Sequence, residues 1–159
     1  MERNLEIERK FLVSGPYKQD AVSCSHIMQG YICAASGRTV RVRLRDDKAY
    51  LTIKGPSGHN GLARFEWEKE ISSDDAIALM SLSETPVIDK TRWLVPDEDG
   101  VHIWEVDEFH GANDGLIIAE VELRSEDDSF SRPSWLGGEV TGDKRYYNSH
   151  LSRNPYCNW

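Results

Sequence analysis

The stretch L-E-I-E-R-K-F-L-V, residues 5–13, alternates charged with apolar side chains. Glu6, Glu8 and Lys10 fall on every second position, with Leu5, Ile7 and Phe11 between them. Successive side chains of a strand point to opposite faces, so the stretch is predicted to be a strand with one charged and one largely apolar face. The charged face either meets bulk water or lines a site that needs two carboxylates and an ammonium.

The same alternation recurs along the chain. Eight strands are predicted, approximately at Arg3–Leu12, His26–Ala34, Thr39–Arg45, Ala49–Lys54, Ala63–Ile71, Val87–Val95, Val101–Phe109 and Leu116–Arg124. Seven of them carry a face of ionisable residues of both signs. Short connections rich in Gly, Pro, Asp and Ser separate most neighbours, which favours antiparallel pairing.

Helices are predicted to be few. The clearest is Ser73–Leu82, with Ser73 as its N-cap and two aspartates in its first turn. A shorter helix near Pro16–Ala21 and a helical turn or two within Asp143–Ser152, ended by Pro155, are also predicted. The expected fold class is α+β but mainly β, in a single domain spanning residues 1–159.

An eight-stranded sheet can close into a barrel, whose interior positions alternate with exterior ones. If the charged face lines the interior, the apolar face points outward. The Ser73–Leu82 helix, the C-terminal segment and a homodimer contact could then cover it, with Trp67, Trp93 and Trp104 on this packed outer face. For any single strand the alternative is an open sheet with its charged face in water. Seven such strands favour the barrel.

A lumen lined by both signs of charge must compensate them. The cationic set is suited to a linear polyanion with several phosphates, and consists of Lys10, Arg41, Arg43, Arg45, Lys54, Arg64, Lys90 and Arg92. The carboxylates are suited to hard divalent cations, and are Glu6, Glu8, Glu66, Glu68, Glu105, Asp107, Glu120 and Glu122. A phosphate chain and a metal ion together would account for both sets.

Composition excludes several other classes. A net charge of -8 and a pI near 5.1 argue against broad binding to nucleic acid or to anionic membranes. No apolar run approaches the roughly 18–20 residues of a membrane span, and no signal peptide is predicted. Three cysteines without CxxC spacing predict a reduced, cytoplasmic protein, and five scattered histidines predict no zinc site.

The ordered motifs resemble the CYTH superfamily, the triphosphate tunnel metalloenzymes. Glu6-Ile7-Glu8-Arg9-Lys10 is similar to the family's ExExK signature. It is followed by V-R-V-R-L-R at 40–45, L-T-I-K at 51–54, R-F-E-W-E at 64–68, D-K-T-R at 89–92, W-E-V-D at 104–107, A-E-V-E-L at 119–123 and E-V-T-G-D-K-R-Y-Y-N at 139–148. The resemblance covers nearly the whole chain. It implies an eight-stranded antiparallel tunnel and a Mg²⁺- or Mn²⁺-dependent enzyme acting on triphosphates, closest to the short bacterial inorganic triphosphatases.

By this resemblance Glu6, Glu8, Glu120 and Glu122 are the first candidates for metal ligands, with Glu66, Glu68, Glu105 and Asp107 as second candidates. Lys10 looks like the family's catalytic lysine and Tyr31 like its partner. The predicted triphosphate-binding residues are Lys10, Arg41, Arg43, Lys54, Arg64, Lys90, Arg92 and Arg145. A lysine among cations is expected to have a lowered pKa, which would let it position or deprotonate water. The segment Asp143-Lys144-Arg145 either closes one tunnel end or forms a solvated helix start.

Three other functions fit the pattern less well. A class IV-type adenylate cyclase would need a base-recognition pocket, which the sequence does not reveal. A non-catalytic triphosphate or polyphosphate binder would keep the charges without turnover. A carrier barrel of the lipocalin type should have an apolar lumen, which Arg41, Arg43 and Arg45 contradict. The Gly55–Gly61 loop lacks the spacing of a phosphate-binding loop and is predicted to be a hairpin connection.

Overall fold

A computed structural model of the protein describes residues 4–159. The strands are β1 (Leu5–Val13), β2 (Ser23–Ala35), β3 (Arg38–Arg45), β4 (Lys48–Ser57), β5 (Ala63–Ile71), β6 (Ile88–Pro96), β7 (Ile103–Phe109), β8 (Ile117–Glu122) and β9 (Leu136–Glu139). The α-helices are α1 (Ser73–Met80) and α2 (Asn148–Leu151), and short 3₁₀ turns occur at Lys18–Asp20, Gly111–Asn113, Lys144–Tyr146 and Tyr156–Asn158. Arg3, the predicted start of the first strand, lies outside the described residues.

The strands form a closed antiparallel barrel, which confirms the predicted fold class. Their order is β5-β4-β3-β2-β6-β7-β8-β1, and β1 closes the circle on β5. In that closing contact Leu5 lies opposite Phe65, and Glu6 opposite Arg64. Beyond it, the end of β1 pairs with β9 on the same edge. This ninth strand was not predicted, because four residues that include two glycines carry no readable alternation.

Tight turns fix the registers of the hairpins around β3. Ser36 and Gly37, which join β2 to β3, both have positive φ, the conformation of a type I′ hairpin turn. Asp46 also has a positive φ in the next turn, between β3 and β4. Because a slip of one residue would turn every side chain to the other face, these turns keep the β3 arginines on one side.

Helix α1 begins one residue away from the expected cap. Ser72, not Ser73, is the N-cap, and its hydroxyl accepts a hydrogen bond from the Asp75 amide. The sequence pattern cannot show which of two adjacent serines is the N-cap. In the structure Ser72 has the extended backbone of an N-cap residue. Within residues 4–159, no helix is both long and apolar enough to span a membrane.

Apolar side chains cover most of the outer wall. One outer cluster includes Phe11, Trp104 and Trp135, beneath the segment that follows β8. Another lies between α1 and the outer faces of β3 and β4, and includes Val42 and Ala76. A third cluster fills the end of the barrel where β1 ends, formed by Leu12, Ile88, Phe109, Leu116, Ile118, Val140, Tyr146 and Leu151.

The outer wall is not covered everywhere. Trp104 is fully buried and Trp93 is half-buried, as predicted. Trp67 also lies on the outer face, but it is 38% exposed in the single chain. It lies opposite Ile53 and two positions from Phe65, and both of these are exposed as well. Neither α1 nor the segment after β8 covers this part of β4 and β5.

Candidate functional site: a charged tunnel

The barrel encloses a cavity of about 280 Å³, here called the tunnel. Of the predicted site residues, the structure places these in its lining: Glu6, Glu8, Lys10, Tyr31, Arg41, Arg43, Lys54, Arg64, Glu66, Glu68, Lys90, Arg92, Glu105, Glu120 and Glu122. Period-2 alternation aims all of them inward from strands of the barrel. Asp107 and Arg145 are not in this lining.

The acidic wall of the tunnel is formed by β1 and β8 with the start of β7. Glu8 lies directly opposite Glu122, and Glu105 directly opposite Glu120. Like charges in directly opposed positions repel each other. The Glu8 side chain is hydrogen-bonded to the neighbouring carboxyl group of Glu120, and within the described chain neither Glu8 nor Glu122 forms an ion pair. Burial and the adjacent Glu120 raise the pKa of Glu8.

Glu6, at the start of β1, also has a raised pKa. Burial and the neighbouring Glu8 raise the pKa of Glu6 to about 7, against the opposing effect of Lys54. Lys54 lies 2.6 Å from Glu6 and 2.8 Å from Glu66. The acidic wall therefore carries more carboxylates than its cations neutralise, and oxygen ligands with excess negative charge are what Mg²⁺ and Mn²⁺ require. These residues fit a divalent cation.

The basic wall is formed by β3. Arg43 is held through its Nε by the side-chain oxygen of Gln29, a neutral partner. Burial and the nearby Arg41 and Arg92 lower the pKa of Arg43 to about 9. The Nε of Arg41 is buried without a hydrogen-bond partner, and its closest carboxylate, Glu68, is 3.6 Å away. Incompletely paired guanidiniums facing one cavity form a site for an anion with several oxygens.

Lys10 lies between two of the acidic residues and the C-terminal segment. Its Nζ is 3.1 Å from Glu120, 3.4 Å from the carbonyl of Tyr146 and 5.1 Å from the centre of the Tyr147 ring. Burial alone would lower the pKa of Lys10, but Glu120 and Glu8 raise it well above its usual range. The expectation of a lowered pKa was wrong, because carboxylates and not cations surround this lysine.

Tyr31 lines the tunnel but is hydrogen-bonded elsewhere. Its hydroxyl accepts a hydrogen bond from the side-chain amide of Gln29 at 3.1 Å, and no contact with Lys10 is recorded within residues 4–159. Tyr147 occupies the aromatic position beside Lys10 instead. The motif T-G-D-K-R-Y-Y-N at 141–148 contains Tyr147, but nothing in its spacing indicates that a helical segment folds back into the lumen.

Asp107 is a buried structural partner. It is 1% exposed, and its carboxylate accepts hydrogen bonds from Lys90 at 2.6 Å and from the Nε of Arg92 at 2.7 Å. Arg92 also pairs with Glu105. Burial, together with Arg92 and Arg43, lowers the pKa of Lys90 to about 7 despite the opposing effect of Asp107. This arrangement leaves no free oxygen of Asp107 directed into the tunnel lining.

Arg145 lies on the surface. Its guanidinium forms hydrogen bonds with Asp143 two residues earlier, and its side chain is 63% exposed. The same short segment nevertheless reaches the tunnel through Asn148. The side-chain oxygen of Asn148 accepts hydrogen bonds from Gln29 at 3.0 Å and from Lys90 at 3.1 Å. Gln29 and Asn148, which the sequence did not single out, therefore connect the C-terminal segment to the basic wall.

A further acidic group lies outside the tunnel. Ligand atoms of Asp97, Asp99 and His102, around the β6–β7 connection, are close enough together to hold a metal ion. They are already engaged, because Asp97 accepts hydrogen bonds from Trp104 and Ser131, and His102 contacts Asp99 at 2.5 Å. His102 also contacts Asp128 at 3.0 Å. This group fastens the segment after β8 to the hairpin.

Comparisons with known proteins agree with this geometry. A family model described as the CYTH domain matches residues 4–150. An inorganic triphosphatase of Acetivibrio thermocellus is 47% identical over 155 residues, which cover 97% of this chain and 97% of that protein. An inorganic triphosphatase of Nitrosomonas europaea is 35% identical over 150 residues, or 92% and 96% of the two chains. A crystal structure of an inorganic triphosphatase matches with a TM-score of 0.66 and 33% identity, over 92% of this chain and 96% of that one.

Proposed function

The chain belongs to the CYTH domain family, and from this premise we propose that it hydrolyses inorganic tripolyphosphate to pyrophosphate and orthophosphate with the aid of Mg²⁺ or Mn²⁺. One observation carries the proposal. A single cavity has an acidic wall on which Glu8 and Glu122 face each other and a basic wall with guanidiniums that no carboxylate fully neutralises. A phosphate chain together with a divalent cation would satisfy both walls at once.

The proposed reaction consumes one water. A bond forms between the water oxygen and a terminal phosphorus, the bridging P–O bond breaks, and its electron pair leaves with pyrophosphate. The net equation is tripolyphosphate (5−) plus water to pyrophosphate (4−) plus dihydrogen phosphate (1−). Phosphoryl transfer depends mainly on positioning and on stabilising the charge that develops.

We assign the basic wall to the phosphate chain. Arg41 and Arg43 are the strongest candidates, because Arg43 is held by the neutral Gln29 and the ion pair of Arg41 with Glu68 is long, at 3.6 Å. Lys54, Lys90 and Arg92 are closely paired with carboxylates, so they would contribute less to binding and more to the local potential. Arg64 lies at one end of the tunnel, held by backbone carbonyls.

We assign the metal to Glu6, Glu8, Glu120 and Glu122, with Glu66, Glu68 and Glu105 as further candidates. A bound divalent cation supplies charge neutralisation for the phosphates and a more acidic water. Lys10 would act as a fixed cation beside the reacting phosphate, since two carboxylates favour its charged form. Tyr31 would support the basic wall through Gln29.

A substrate panel tests the function. Tripolyphosphate, ATP, thiamine triphosphate and pyrophosphate are each incubated with the protein and Mg²⁺, Mn²⁺ or EDTA. We expect metal-dependent release of orthophosphate from tripolyphosphate, lost in Glu8→Gln and kept in Glu98→Gln, an exposed surface control. Cyclic AMP and pyrophosphate from ATP would instead establish an adenylate cyclase. Tight binding without turnover would establish a triphosphate-binding protein.

We also propose that the chain is a single domain, that the enzyme is cytoplasmic and forms a homodimer, and that it does not bind nucleic acid or membranes. Three exposed cysteines without a disulfide and the net charge of -8 support the compartment and the partners. The apolar patch of Leu5, Ile53, Phe65 and Trp67 supports a contact between copies. Sedimentation tests it: Trp67→Glu should give a monomer if this patch joins two copies, whereas an unchanged dimer would exclude the patch.

A further inference from the structure

A second cavity of about 780 Å³, here called the vestibule, adjoins one end of the tunnel. Its walls come from the end of β2, the start of β3, the β4–β5 connection and the C-terminal segment. Thr39, Ser57, Arg64 and Tyr147 line both cavities. Anything that moves between the two therefore passes these residues.

The vestibule is cationic, although the protein as a whole is acidic. Arg38, Arg64, Lys144 and Arg153 line it, together with His59 and His150. Within residues 4–159, no aspartate or glutamate belongs to this lining. A concave surface of one charge sign concentrates ions of the opposite sign and raises their rate of association.

Two of these guanidiniums are held in place without losing their charge. Arg64 donates hydrogen bonds to the carbonyls of Gly55, at 2.7 Å, and Gly37, at 3.2 Å. Arg153 donates to the carbonyl of Ala34 at 2.8 Å, and its nearest carboxylate, Glu84, lies 3.7 Å away. Neutral partners fix the geometry but do not cancel the positive charge, in contrast to the closely paired Lys54 and Lys90 inside the tunnel.

The opposite end of the barrel carries carboxylates beside Arg45, the last residue of β3, which also lines the tunnel. Glu122 at the end of β8, Glu105 near the start of β7 and Glu68 towards the end of β5 line the tunnel there, and all three are at least partly exposed. Carboxylates therefore accompany the cations at this end, whereas the vestibule lining contains cations without carboxylates and should attract a polyanion more strongly.

We propose that the vestibule is the outer binding site and the entrance for the polyanionic substrate. Tripolyphosphate binds first to Arg38, Lys144 and Arg153, and then moves past Arg64 into the tunnel. This inference rests on the proposed function and adds to it a set of capture residues that take no part in the chemical step. It separates substrate capture, at one end, from catalysis beside Lys10.

The test compares two double variants with equal charge changes. Arg38→Gln/Lys144→Gln removes two cations from the vestibule. Lys48→Gln/Lys69→Gln removes two exposed cations, one from the start of β4 and one from the outer face of β5. At low ionic strength we expect the vestibule variant to lose about tenfold in kcat/KM for tripolyphosphate with kcat nearly unchanged, and the control to lose little. The difference in kcat/KM between the two variants should shrink in 0.5 M salt, because the screening length there is on the order of 4 Å.

Calorimetry of tripolyphosphate binding in EDTA gives a second readout that needs no turnover. The vestibule variant should bind about tenfold more weakly than the control variant. Equal effects of the two double variants, or a loss confined to kcat, would overturn the proposal. If the unmodified protein releases no orthophosphate from tripolyphosphate, the proposed hydrolysis fails, and the calorimetric comparison still decides whether the vestibule binds the polyanion.

Discussion

The acidic and basic walls of the tunnel face the same cavity, and the charge of each wall is incompletely neutralised in a different way. On β1 and β8, Glu8 lies opposite Glu122, and burial and the adjacent Glu120 raise the pKa of Glu8. On β3, buried arginines are held by neutral groups, and the pKa of Arg43 falls. A barrel optimised for stability alone would pair these charges across the lumen. Their separation indicates two ligands of opposite charge.

Removal of the lysine beside the acidic wall should have the largest effect. Lys10→Ala is expected to lower kcat for tripolyphosphate at least about a hundredfold, the usual scale for a group that positions or polarises reacting atoms. Phosphate release measures the effect, with Lys69→Ala on the outer face of β5 as the matched control. A near-normal rate in a variant that still unfolds cooperatively would exclude this role for Lys10.

A change on the acidic wall should act through the metal. Glu122→Gln is expected to raise the concentration of Mn²⁺ needed for half-maximal rate by roughly 10–100-fold, the scale seen when groups that support a metal are lost. Metal titration of the initial rate measures it, and Glu126→Gln, an exposed surface change, serves as the control. An unchanged metal requirement would remove Glu122 from the metal site.

A change on the basic wall should act through the substrate. Arg43→Gln removes a charged donor worth about 1.5–3 kcal/mol, so we expect KM for tripolyphosphate to rise about tenfold or more with the metal requirement unchanged. Arg132→Gln, on the outer surface, is the control for loss of one arginine. The separation of the walls would be contradicted if Arg43→Gln shifted the metal requirement instead.

A change in the group of Asp99, His102 and Asp128, which lies outside the tunnel, should affect stability and not activity. Asp99, and then Asp128, raise the pKa of His102 above its unfolded value near 6.5. The imidazolium therefore stabilises the fold fully below that pH, and the stabilisation is lost as pH rises through the raised pKa. The Tm difference between the unmodified protein and His102→Gln should shrink between pH 6 and 9, by about 1–3 °C. A constant difference would exclude this titration.

The sequence predicted the faces of the strands better than the depth of residues within the barrel. Alternation identifies inward positions, so it placed Glu105 and Asp107 on one face. It cannot show that Asp107 lies deeper, between Lys90 and Arg92, whereas Glu105 reaches the end of the tunnel. The same limit explains the wrong expectation for the pKa of Lys10. The sequence grouped this lysine with the other inward-facing cations, but the groups next to it in space are carboxylates.

Residues outside the strands were predicted less well. The segment 141–153 has no clear period, so the sequence could not show that Arg145 turns to solvent while Tyr147 and Asn148 enter the tunnel. The vestibule was missed because its cations come from the starts of β3 and β5 and from the C-terminal segment, which are distant in sequence. Such groups are brought together only by the closed barrel.

Calorimetric titration of one variant from each wall tests the separation of the two ligands most directly. Mn²⁺ alone, and tripolyphosphate in EDTA, are titrated into Glu8→Gln and Arg43→Gln. Glu8→Gln should bind Mn²⁺ at least about tenfold more weakly and keep its affinity for tripolyphosphate, and Arg43→Gln should show the reverse. Equal losses of both ligands in both variants, or the opposite pattern, would contradict a tunnel with one wall for the metal and one for the phosphates.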